Sequence, residues 1–547
     1  MIKKIIILII VFTIFIIYKP TTSLASSQKQ QQHKIEHVVL LMLENRAFDH
    51  MCGFFPNVNG LKGNETNPLN TSQPTKQKVT VQKTSPYIGP IDPVHSTPAT
   101  TSKIYGQACL KQNPPCNKPT MDGFIEYSLN NGNSLHDAST LMNAFTPERL
   151  PILSTLAEEF AIFDKFHASV PGPTWPNRLF QLMGTSKGCT ETNQRNPHTF
   201  LYFGKTIFDL VEEAGHDWRF YYKDAPLEMA LIAKLTFHPF KVKGWRKFKK
   251  DVAEGTLPSF SWVNPQWFVN KTSGEGSSDQ HPDHDVRLGE ALLKEVYETL
   301  RAGKNWEKTA LIITYDEHGG YYDHVSPPEN IPAPDGIKSY PDDFDFQRLG
   351  IRVPTLLISP WIQKGTVISE PHEHEKPQSN SEFDLTSIIS SVKNIFNAPN
   401  HLTKRDAWAA TFDTRLNLTS PRTDCPMKLP EAPTSLGKEH AENEAKLELN
   451  DLQKQIVTNF HLLHQKFSAM KELNMNNGNA IINTLRDPAE KDDVEQKLMK
   501  ELFQSYDIEK MERKNDISLP KFQGDAGEWI QSIMKHHYQY FNLELDE

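Results

Sequence analysis

The stretch HVVLLMLENR, residues 37–46, decides the fold, because an uninterrupted apolar run ends abruptly in polar residues. Such a run, without polar alternation, is typical of a parallel strand that is buried on both faces. ALIIT (310–314) and VPTLLI (353–358) have the same character and are predicted to be parallel strands of the same sheet. Residues 286–300 carry a helical apolar repeat. This alternation predicts an α/β domain with helices on both faces of the sheet.

Changes in composition divide the 547 residues into regions. Residues 35–430 are predicted to form the catalytic α/β domain. Within it, residues 56–120 and 326–348 are polar and Pro-rich, and are predicted to be long loops. The later part of the chain, 436–547, is predicted to be a smaller helical C-terminal domain or lid. Its charged or aromatic helical segments are 441–467, 488–511 and 528–541.

The N-terminus predicts export. Two lysines precede the apolar run Ile5–Ile17, and Ser23-Leu24-Ala25 offers small residues for cleavage, so residues 1–25 are predicted to be a signal peptide. The alternative is an uncleaved signal anchor, although the run is shorter than the roughly 20 residues of a membrane span. We therefore expect a location in the secretory pathway, extracellular or in the endolysosomal lumen. Four sequons are predicted to be glycosylated: Asn64, Asn70, Asn270 and Asn417.

Net charge and cysteine content limit the binding partners and disulfides that we expect. The formal net charge of −8 argues against nucleic acid as a partner and against attraction to an anionic membrane by bulk charge. Nothing in the sequence indicates an obligate protein partner. In an oxidising compartment some of the five cysteines should form disulfides, and Cys109 with Cys116 is the simplest pair to form. The odd number leaves at least one thiol free or paired between chains.

Acidic and amide side chains follow two of the predicted strands. Glu44 and Asn45 come directly after the first strand, and Asp316 and Glu317 follow the 310–314 strand. In open α/β sheets, ligand sites form at the carboxyl ends of strands. Three carboxylates and an amide at one point would suit one hard divalent cation, whose identity the sequence does not specify. The alternative is that these residues are ordinary polar strand ends.

Thr174 lies between two prolines in Pro173-Thr174-Trp175-Pro176, at the predicted start of a helix. We expect its side chain to cap the helix, where free N–H groups attract a phosphate. Beside a metal, the same hydroxyl could ionise and attack phosphorus. The alternative is a plain N-cap threonine.

Three histidines are candidates for phosphoryl-transfer chemistry: His95, His281 and His284. Such a site needs cationic groups around the phosphate oxygens and an acid for the leaving alkoxide, and imidazolium supplies both. With 21 histidines in the chain, any single one is more often a surface or structural residue.

Together these motifs resemble the phosphoesterase family that contains bacterial phospholipases C, a bacterial acid phosphatase and, with the greatest likeness, plant non-specific phospholipases C. The motifs that carry the resemblance are HVVLLMLENRAFDHMCG (37–53), FHASVPGPTWPNRLF (166–180), HPDHDV (281–286), TYDEHGGYYDHVSPP (314–328), RLGIRVPTLLISPWI (348–362), LTKRDAWAATF (402–412) and RTDCP (422–426).

The resemblance implies an alkaline-phosphatase-like α/β fold and a set of site roles. It implies that Thr174 is the nucleophile and also touches the metal. The other metal ligands that it implies are Glu44, Asn45, Asp316 and Glu317. It further implies that the candidate histidines contact the phosphate or protonate the leaving group, namely His95, His281 and, with less weight, His284.

We therefore expect a phospholipase C that acts at a membrane surface and releases diacylglycerol and a phosphorylated head group. Phosphatidylcholine or phosphatidylethanolamine would be the substrate. One alternative is a secreted acid phosphatase acting on phosphomonoesters, since the same site chemistry serves both. Another is a weakly catalytic lipid-binding relative, because Leu385 stands where the family usually has a histidine.

Overall fold

A mixed sheet of eight strands forms the centre of the protein. The computed structural model describes residues 34–110, 118–192, 201–472, 519–541, 543 and 545. Three predictions fall outside these ranges: the signal peptide, the pairing partner Cys116 and the segment 488–511.

The strands include two that form a small separate hairpin and two that pair beside the main sheet. In chain order they are β1 (His37–Leu43), β2 (Thr66–Pro68), β3 (Lys78–Thr80), β4 (Ala161–Phe163), β5 (Phe166–His167), β6 (Trp218–Tyr222), β7 (Val242–Gly244), β8 (Phe260–Asn264), β9 (Thr309–Tyr315), β10 (Thr355–Ile358), β11 (Thr366–Ile368) and β12 (Phe383–Asp384).

The main sheet has the order β11-β4-β10-β9-β1-β8-β6-β7. β1 lies near its middle and runs parallel to both neighbours, with Val38 opposite Phe260 of β8 and Ala310 of β9. The six residues from Val38 to Leu43 are fully buried, which explains their uninterrupted apolar character. The predicted α/β architecture is confirmed.

The prediction that residues 353–358 form a parallel strand is wrong. The strand is shorter, β10, and it runs antiparallel to both β9 and β4. An uninterrupted apolar run reports burial on both faces of a strand, and a central antiparallel strand is buried in the same way as a parallel one.

Helices surround the sheet. In chain order they are α1 (Phe48–Cys52), α2 (Thr97–Tyr105), α3 (Gln107–Leu110), α4 (Phe124–Asn130), α5 (Leu135–Ser139), α6 (Pro151–Glu159), α7 (Thr174–Met183), α8 (Ile207–Glu213), α9 (Ala233–Thr236), α10 (Trp245–Glu254), α11 (Val286–Ala302), α12 (Leu385–Phe396), α13 (Lys404–Trp408), α14 (Gly437–Glu444), α15 (Asp451–Glu472) and α16 (Gln523–Tyr540). Among the described residues, no helix combines the length and the apolar character needed to cross a membrane.

The segment 56–120 is more ordered than the loop prediction stated. It contains the β2–β3 hairpin and the helices α2 and α3. Ser96 accepts a hydrogen bond from Ala99 N at 3.3 Å and so caps α2, with Pro98 in the first turn. This cap and proline are sequence signals of a helix start, which the polar composition of the segment obscured.

The C-terminal helices pack onto the sheet domain. The apolar side chains of α16, among them Ile530, Met534 and Tyr538, are buried in the main core. Tyr538 donates a hydrogen bond to Val242 O at 2.6 Å. These side chains therefore stabilise the fold.

Candidate active site

The acidic strand ends meet at one edge of the sheet. Glu44 and Asn45 follow β1, Asp316 and Glu317 follow the neighbouring parallel strand β9, and all four are fully buried. Asn45 N donates to Asp316 Oδ1 at 2.9 Å, which ties the two strand ends together. We call these four residues the oxygen cluster.

The cluster brings its polar side chains close together. In the orientation that satisfies its hydrogen bonds, the Asn45 amide nitrogen donates to Glu317 Oε1 at 2.8 Å and to Glu44 Oε2 at 3.0 Å; the opposite orientation turns the carboxamide oxygen towards the same carboxylates. Thr174 Oγ1 lies 3.3 Å from Glu44 Oε2. Mg²⁺ binds oxygens at about 2.1 Å in octahedral geometry, which places neighbouring ligand oxygens about 3 Å apart. Asp316 Oδ2 is buried and has no hydrogen-bond partner among the described residues. The donor types and the unpaired buried Asp316 Oδ2 are compatible with a divalent cation.

Burial and mutual repulsion disfavour the ionised forms of the cluster carboxylates. Burial raises the pKa of Glu44 well above its usual range, and Asp316 adds to the rise while Arg178 opposes it. Burial and then Asp316 raise the pKa of Glu317 in the same direction. Ionised carboxylates crowded in this way need a positive charge among them.

Arg178, which the residue-by-residue reasoning missed, supplies part of that charge. Its Nε donates to Glu44 Oε1 at 2.8 Å, and its Nη1 donates to the buried Glu228. One oxygen of Glu44 is thereby occupied, and Oε2 remains directed towards Thr174. The signal was available in the sequence, since Arg178 lies four residues after Thr174 on the same helix.

The prediction that Thr174 caps its helix is wrong. α7 begins at Thr174 itself, Pro173 occupies the N-cap position, and this described helix start has no side-chain cap bond. At the first helical position the Thr174 side chain reaches the oxygen cluster, with Oγ1 3.5 Å from the Asn45 carboxamide. Its hydroxyl is therefore next to the cluster and not engaged with backbone N–H groups.

A cavity of about 140 Å³ opens over Thr174, and His95 and His281 line it as well. The His95 and His281 Nε2 atoms lie 3.3 and 3.1 Å from the second end of the Asn45 carboxamide. Burial lowers the pKa of His95. Burial also acts against the charged form of His281, but the carboxylates of Asp92 and Asp283 outweigh it and raise the pKa of His281. The two imidazoles thus favour opposite protonation states.

His284 lies behind His281 and is not part of the cavity lining. Its Nδ1 is 2.6 Å from Asp279 Oδ1, and this carboxylate with Asp283 raises the His284 pKa to about 10 although burial lowers it. The amide nitrogens of Asn450 and Gln453 lie 3.4 and 3.3 Å from its Nε2.

Residues 450–453, at the start of α15, lie against the cavity, and we call them the roof segment. Asn450 Nδ2 donates to Asp283 at 3.2 Å, and Gln453 Nε2 donates to Trp267 O at 2.9 Å. Asp451 and Leu452 line the cavity itself. No sequence pattern indicated these contacts, because they join residues that are more than 160 positions apart.

Lys103 connects the two loops beside the cavity. It is buried, and its Nζ donates to Val94 O at 2.6 Å and to Gly320 O at 3.1 Å. Burial lowers the pKa of Lys103 to about 7. The lysine thus holds the His95 loop against the loop that follows Glu317.

Gly319 sets how closely the two strand ends approach. Its φ is +60°, and a Cβ at this position would lie 1.9 Å from Asn45 O. A side chain would therefore collide with the backbone of the neighbouring strand end.

Leu385, the departure from the family pattern, is fully buried in the main core at the start of α12. It is not among the residues that line the cavity.

A hydroxyl held beside acidic oxygens, with two imidazoles lining the adjacent cavity, is compatible with hydrolysis of phosphoric esters. Comparison with known proteins agrees. The model described as "Phosphoesterase family" matches residues 35–399, and the chain belongs to this family.

Relatives in this family are similar over most of their length. The chain is 42% identical to "Non-specific phospholipase C6" of Arabidopsis thaliana over 441 residues, which are 78% of this chain and 80% of the relative. It is 41% identical to "Non-specific phospholipase C1" of the same plant, over 82% of this chain and 84% of the relative. "Phospholipase C B" of Mycobacterium tuberculosis is 28% identical over 71% of this chain and 78% of its own.

The solved structures with some similarity to this chain share little sequence identity with it. The phosphonate monoester hydrolase of Agrobacterium radiobacter is 10% identical, with a TM-score of 0.31, and covers 70% of this chain and 77% of its own. A protein in the alkaline phosphatase superfamily from Vibrio parahaemolyticus is 14% identical, with a TM-score of 0.27, over 48% and 64%.

Proposed function

We propose that the protein is a phospholipase C that hydrolyses glycerophospholipids, such as phosphatidylcholine or phosphatidylethanolamine, to diacylglycerol and a phosphorylated head group. The names of its Arabidopsis relatives support this activity. The observation that carries the proposal is the hydroxyl of the buried Thr174, which contacts the oxygen cluster beside a cavity lined by two histidines.

In the proposed mechanism Thr174 is the nucleophile. A divalent cation held by Glu44, Asn45, Asp316 and Glu317 would lower the pKa of the hydroxyl and offset the charge of the phosphate. Because burial lowers the pKa of His95 and so favours its neutral form, we assign His95 as the group that accepts the Thr174 proton as Oγ1 attacks phosphorus. Because the pKa of His281 is raised, His281 donates a proton to the departing diacylglycerol oxygen. The head group remains on Thr174 as a phosphothreonine diester.

Water then releases the head group. The now neutral His281 accepts a proton from the attacking water, and the protonated His95 returns its proton to Thr174 Oγ1 as the phosphothreonine bond breaks. The phosphorylated head group leaves, and both histidines regain their starting protonation states. Each histidine thus accepts one proton and donates one proton in a catalytic cycle.

The decisive experiment compares substrate classes. Purified protein is incubated with phosphatidylcholine, phosphatidylethanolamine and p-nitrophenyl phosphate, and the products are identified by mass spectrometry. We expect diacylglycerol with phosphocholine or phosphoethanolamine. Turnover of p-nitrophenyl phosphate alone would identify an acid phosphatase, and lipid binding without turnover would identify a weakly catalytic relative.

Secretion and N-glycosylation are part of the proposal. All four sequon asparagines lie in the described ranges and are exposed, as glycan attachment requires. On expression in a eukaryotic host we expect secreted protein whose mass falls on treatment with an N-glycosidase. Protein of unshifted mass that remains in the cytosol would contradict this part.

A further inference from the structure

A second cavity lies between the sheet domain and the C-terminal helices. Its volume is about 640 Å³, and it shares no lining residue with the cavity over Thr174. Its wall is mainly apolar and is formed by the loop 269–274, by α14 and by the residues at the beginning of α16. Val269, Ala441 and Ala445 form a small buried cluster at this wall. The cavity is therefore a place where a ligand can touch both parts of the chain.

Phe522 presents an aromatic ring to this second cavity. It is the only exposed phenylalanine in the described ranges, and it is the only aromatic residue among the described residues of the lining. Single exposed apolar side chains are common on protein surfaces, whereas this ring belongs to the wall of a mainly apolar cavity. Covering the ring would remove apolar surface from water. The ring therefore favours a ligand that has an apolar face.

The lining also contains Asn270, the acceptor of the sequon NKT (270–272), and no other sequon asparagine lines this cavity. Its side-chain oxygen accepts hydrogen bonds from Thr272 N and Ser273 N, both at 2.9 Å. Within the described ranges no hydrogen bond involves its Nδ2 atom, which is the atom that carries the sugar in an N-glycan. The side chain of Asn270 is thus fixed through its oxygen, and its attachment atom is free.

We infer that Asn270 carries an N-glycan whose first N-acetylglucosamine lies in the second cavity against Phe522. A pyranose ring has a face of C–H bonds that packs on an aromatic ring, which suits the exposed phenylalanine. The ion pair between Lys271 and Asp525 already holds the sequon loop beside the beginning of α16. The sugar would strengthen this connection between the sheet domain and the C-terminal helices. The inference rests on the secretion and N-glycosylation that form part of the proposed function.

The attachment is a glycosyl transfer in the secretory pathway. The donor is an oligosaccharide linked through a diphosphate to a polyprenol lipid. Asn270 Nδ2 forms a bond to C1 of the first sugar, the bond from C1 to the diphosphate oxygen breaks, and Nδ2 loses one proton as the lipid diphosphate leaves. Because Asn270 precedes α14 and α16 in the chain, the sugar can be attached before these helices pack beside it.

The test uses full-length protein secreted from a eukaryotic host. Glycopeptide mass spectrometry identifies the occupied sequons, and the native protein is then treated with a peptide N-glycosidase, which cuts between asparagine and the first sugar. We expect the Asn270 glycan to be released at least about tenfold more slowly from native than from denatured protein, because the enzyme reaches the sugar only after a local opening. Glycans at the other sequons, which lie outside this cavity, should be released at similar rates from both forms.

Phe522→Ala removes the ring and leaves the sequon intact. It should bring release from native protein at Asn270 to within about twofold of the rate in denatured protein. The matched control is Leu519→Ala, since Leu519 is similarly exposed but lies outside the cavity lining, and it should leave the slow release unchanged.

Thermal unfolding provides a second measurement. Thr272→Ala abolishes the sequon but keeps the hydrogen bond from the backbone N–H of residue 272 to Asn270. Phe522→Ala should lower the midpoint of unfolding in the glycosylated protein and should have a smaller effect in the Thr272→Ala background, because both changes remove the same contact.

An unoccupied Asn270 in protein that is glycosylated elsewhere, or rapid release from the native wild type, would overturn the inference and leave the proposed secretion in place. Slow release that Phe522→Ala does not accelerate would overturn it as well. Absence of glycan from all four sequons would overturn the inference together with the proposed glycosylation. Turnover of phospholipids, measured separately, would still decide the proposed phospholipase C activity.

Discussion

The oxygen cluster and the roof segment lie on different sides of the catalytic region: the cluster contacts Thr174, whereas Asp451 and Leu452 of the roof segment line the cavity. The oxygen cluster lies at the ends of two central parallel strands, fully buried and fixed by backbone hydrogen bonds such as Asn45 N to Asp316 Oδ1. The roof segment is the first turn of a C-terminal helix and contacts the histidine region through amide side chains. The comparison teaches that the central strand ends hold the reacting groups directly, whereas the helix contacts only the residues around them.

If this division is correct, the largest loss of catalytic activity should come from removing the Thr174 hydroxyl, which lies beside the oxygen cluster. Thr174→Ala should fold normally, because the side chain makes no cap bond in the described helix, and should lose at least about 10³-fold in kcat. Thr174→Ser should retain measurable turnover. Both are measured on phosphatidylcholine, with thermal unfolding as a check on folding.

The matched control is Thr185→Ala. Thr185 is a buried threonine just after α7 that donates to Asp335 and lies outside the cavity lining. Near wild-type turnover in Thr174→Ala would show that water, and not Thr174, attacks phosphorus.

The next largest effect should come from the oxygen cluster itself. Asp316→Asn removes one negative charge from the proposed ligands, so bound metal and kcat/KM should fall together, the latter by about 10²-fold. Metal content is measured by mass spectrometry of the purified protein, and wild type treated with a chelator serves as the reference. Full metal content together with full activity in this variant would refute the assignment of the cluster.

A smaller effect is expected from the roof segment. The double variant Asn450→Ala/Gln453→Ala removes the amides that contact Asp283 and His284, and should lower kcat/KM by about threefold to tenfold with metal content unchanged. Thr458→Ala, further along the same helix and outside the cavity lining, is the control, because the Thr458 hydroxyl bonds only to the helix backbone. A loss as large as that of Asp316→Asn would contradict the smaller role assigned to the roof segment.

The smallest effect on turnover is expected at Glu290, a buried acid outside the cavity lining. Burial raises its pKa to about 8 although it accepts hydrogen bonds from Ile152 N and Leu153 N. Between the ordinary value of 4.5 and about 8, the folded chain binds more protons than the unfolded chain, so the free energy of unfolding falls as pH rises.

Glu290→Gln should therefore flatten the fall of thermal stability between pH 5 and pH 8 and leave kcat unchanged. Thermal unfolding followed by circular dichroism across this range provides the measurement. A variant whose stability depends on pH as steeply as that of the wild type would show that Glu290 is ionised in the fold.

Features set by neighbouring residues could be predicted from the sequence, whereas contacts between distant segments could not. The apolar run 37–43 and its polar end led to β1 and to Glu44, because burial and the strand-end position are both visible in neighbouring residues. Strand direction was not visible, so 353–358 was misread as parallel. The bond from Asn450 to Asp283 depends on tertiary packing between distant segments, which no local pattern encodes.

Gly319 has a consequence for inherited variation. Every other amino acid carries a Cβ, and at this position that atom would overlap the Asn45 carbonyl oxygen at 1.9 Å. Any missense change in its codon should therefore separate the two strand ends and inactivate the gene product, however small the new side chain. We expect alleles that encode an active enzyme to keep a glycine codon here, while codons for exposed residues such as Glu442 drift freely.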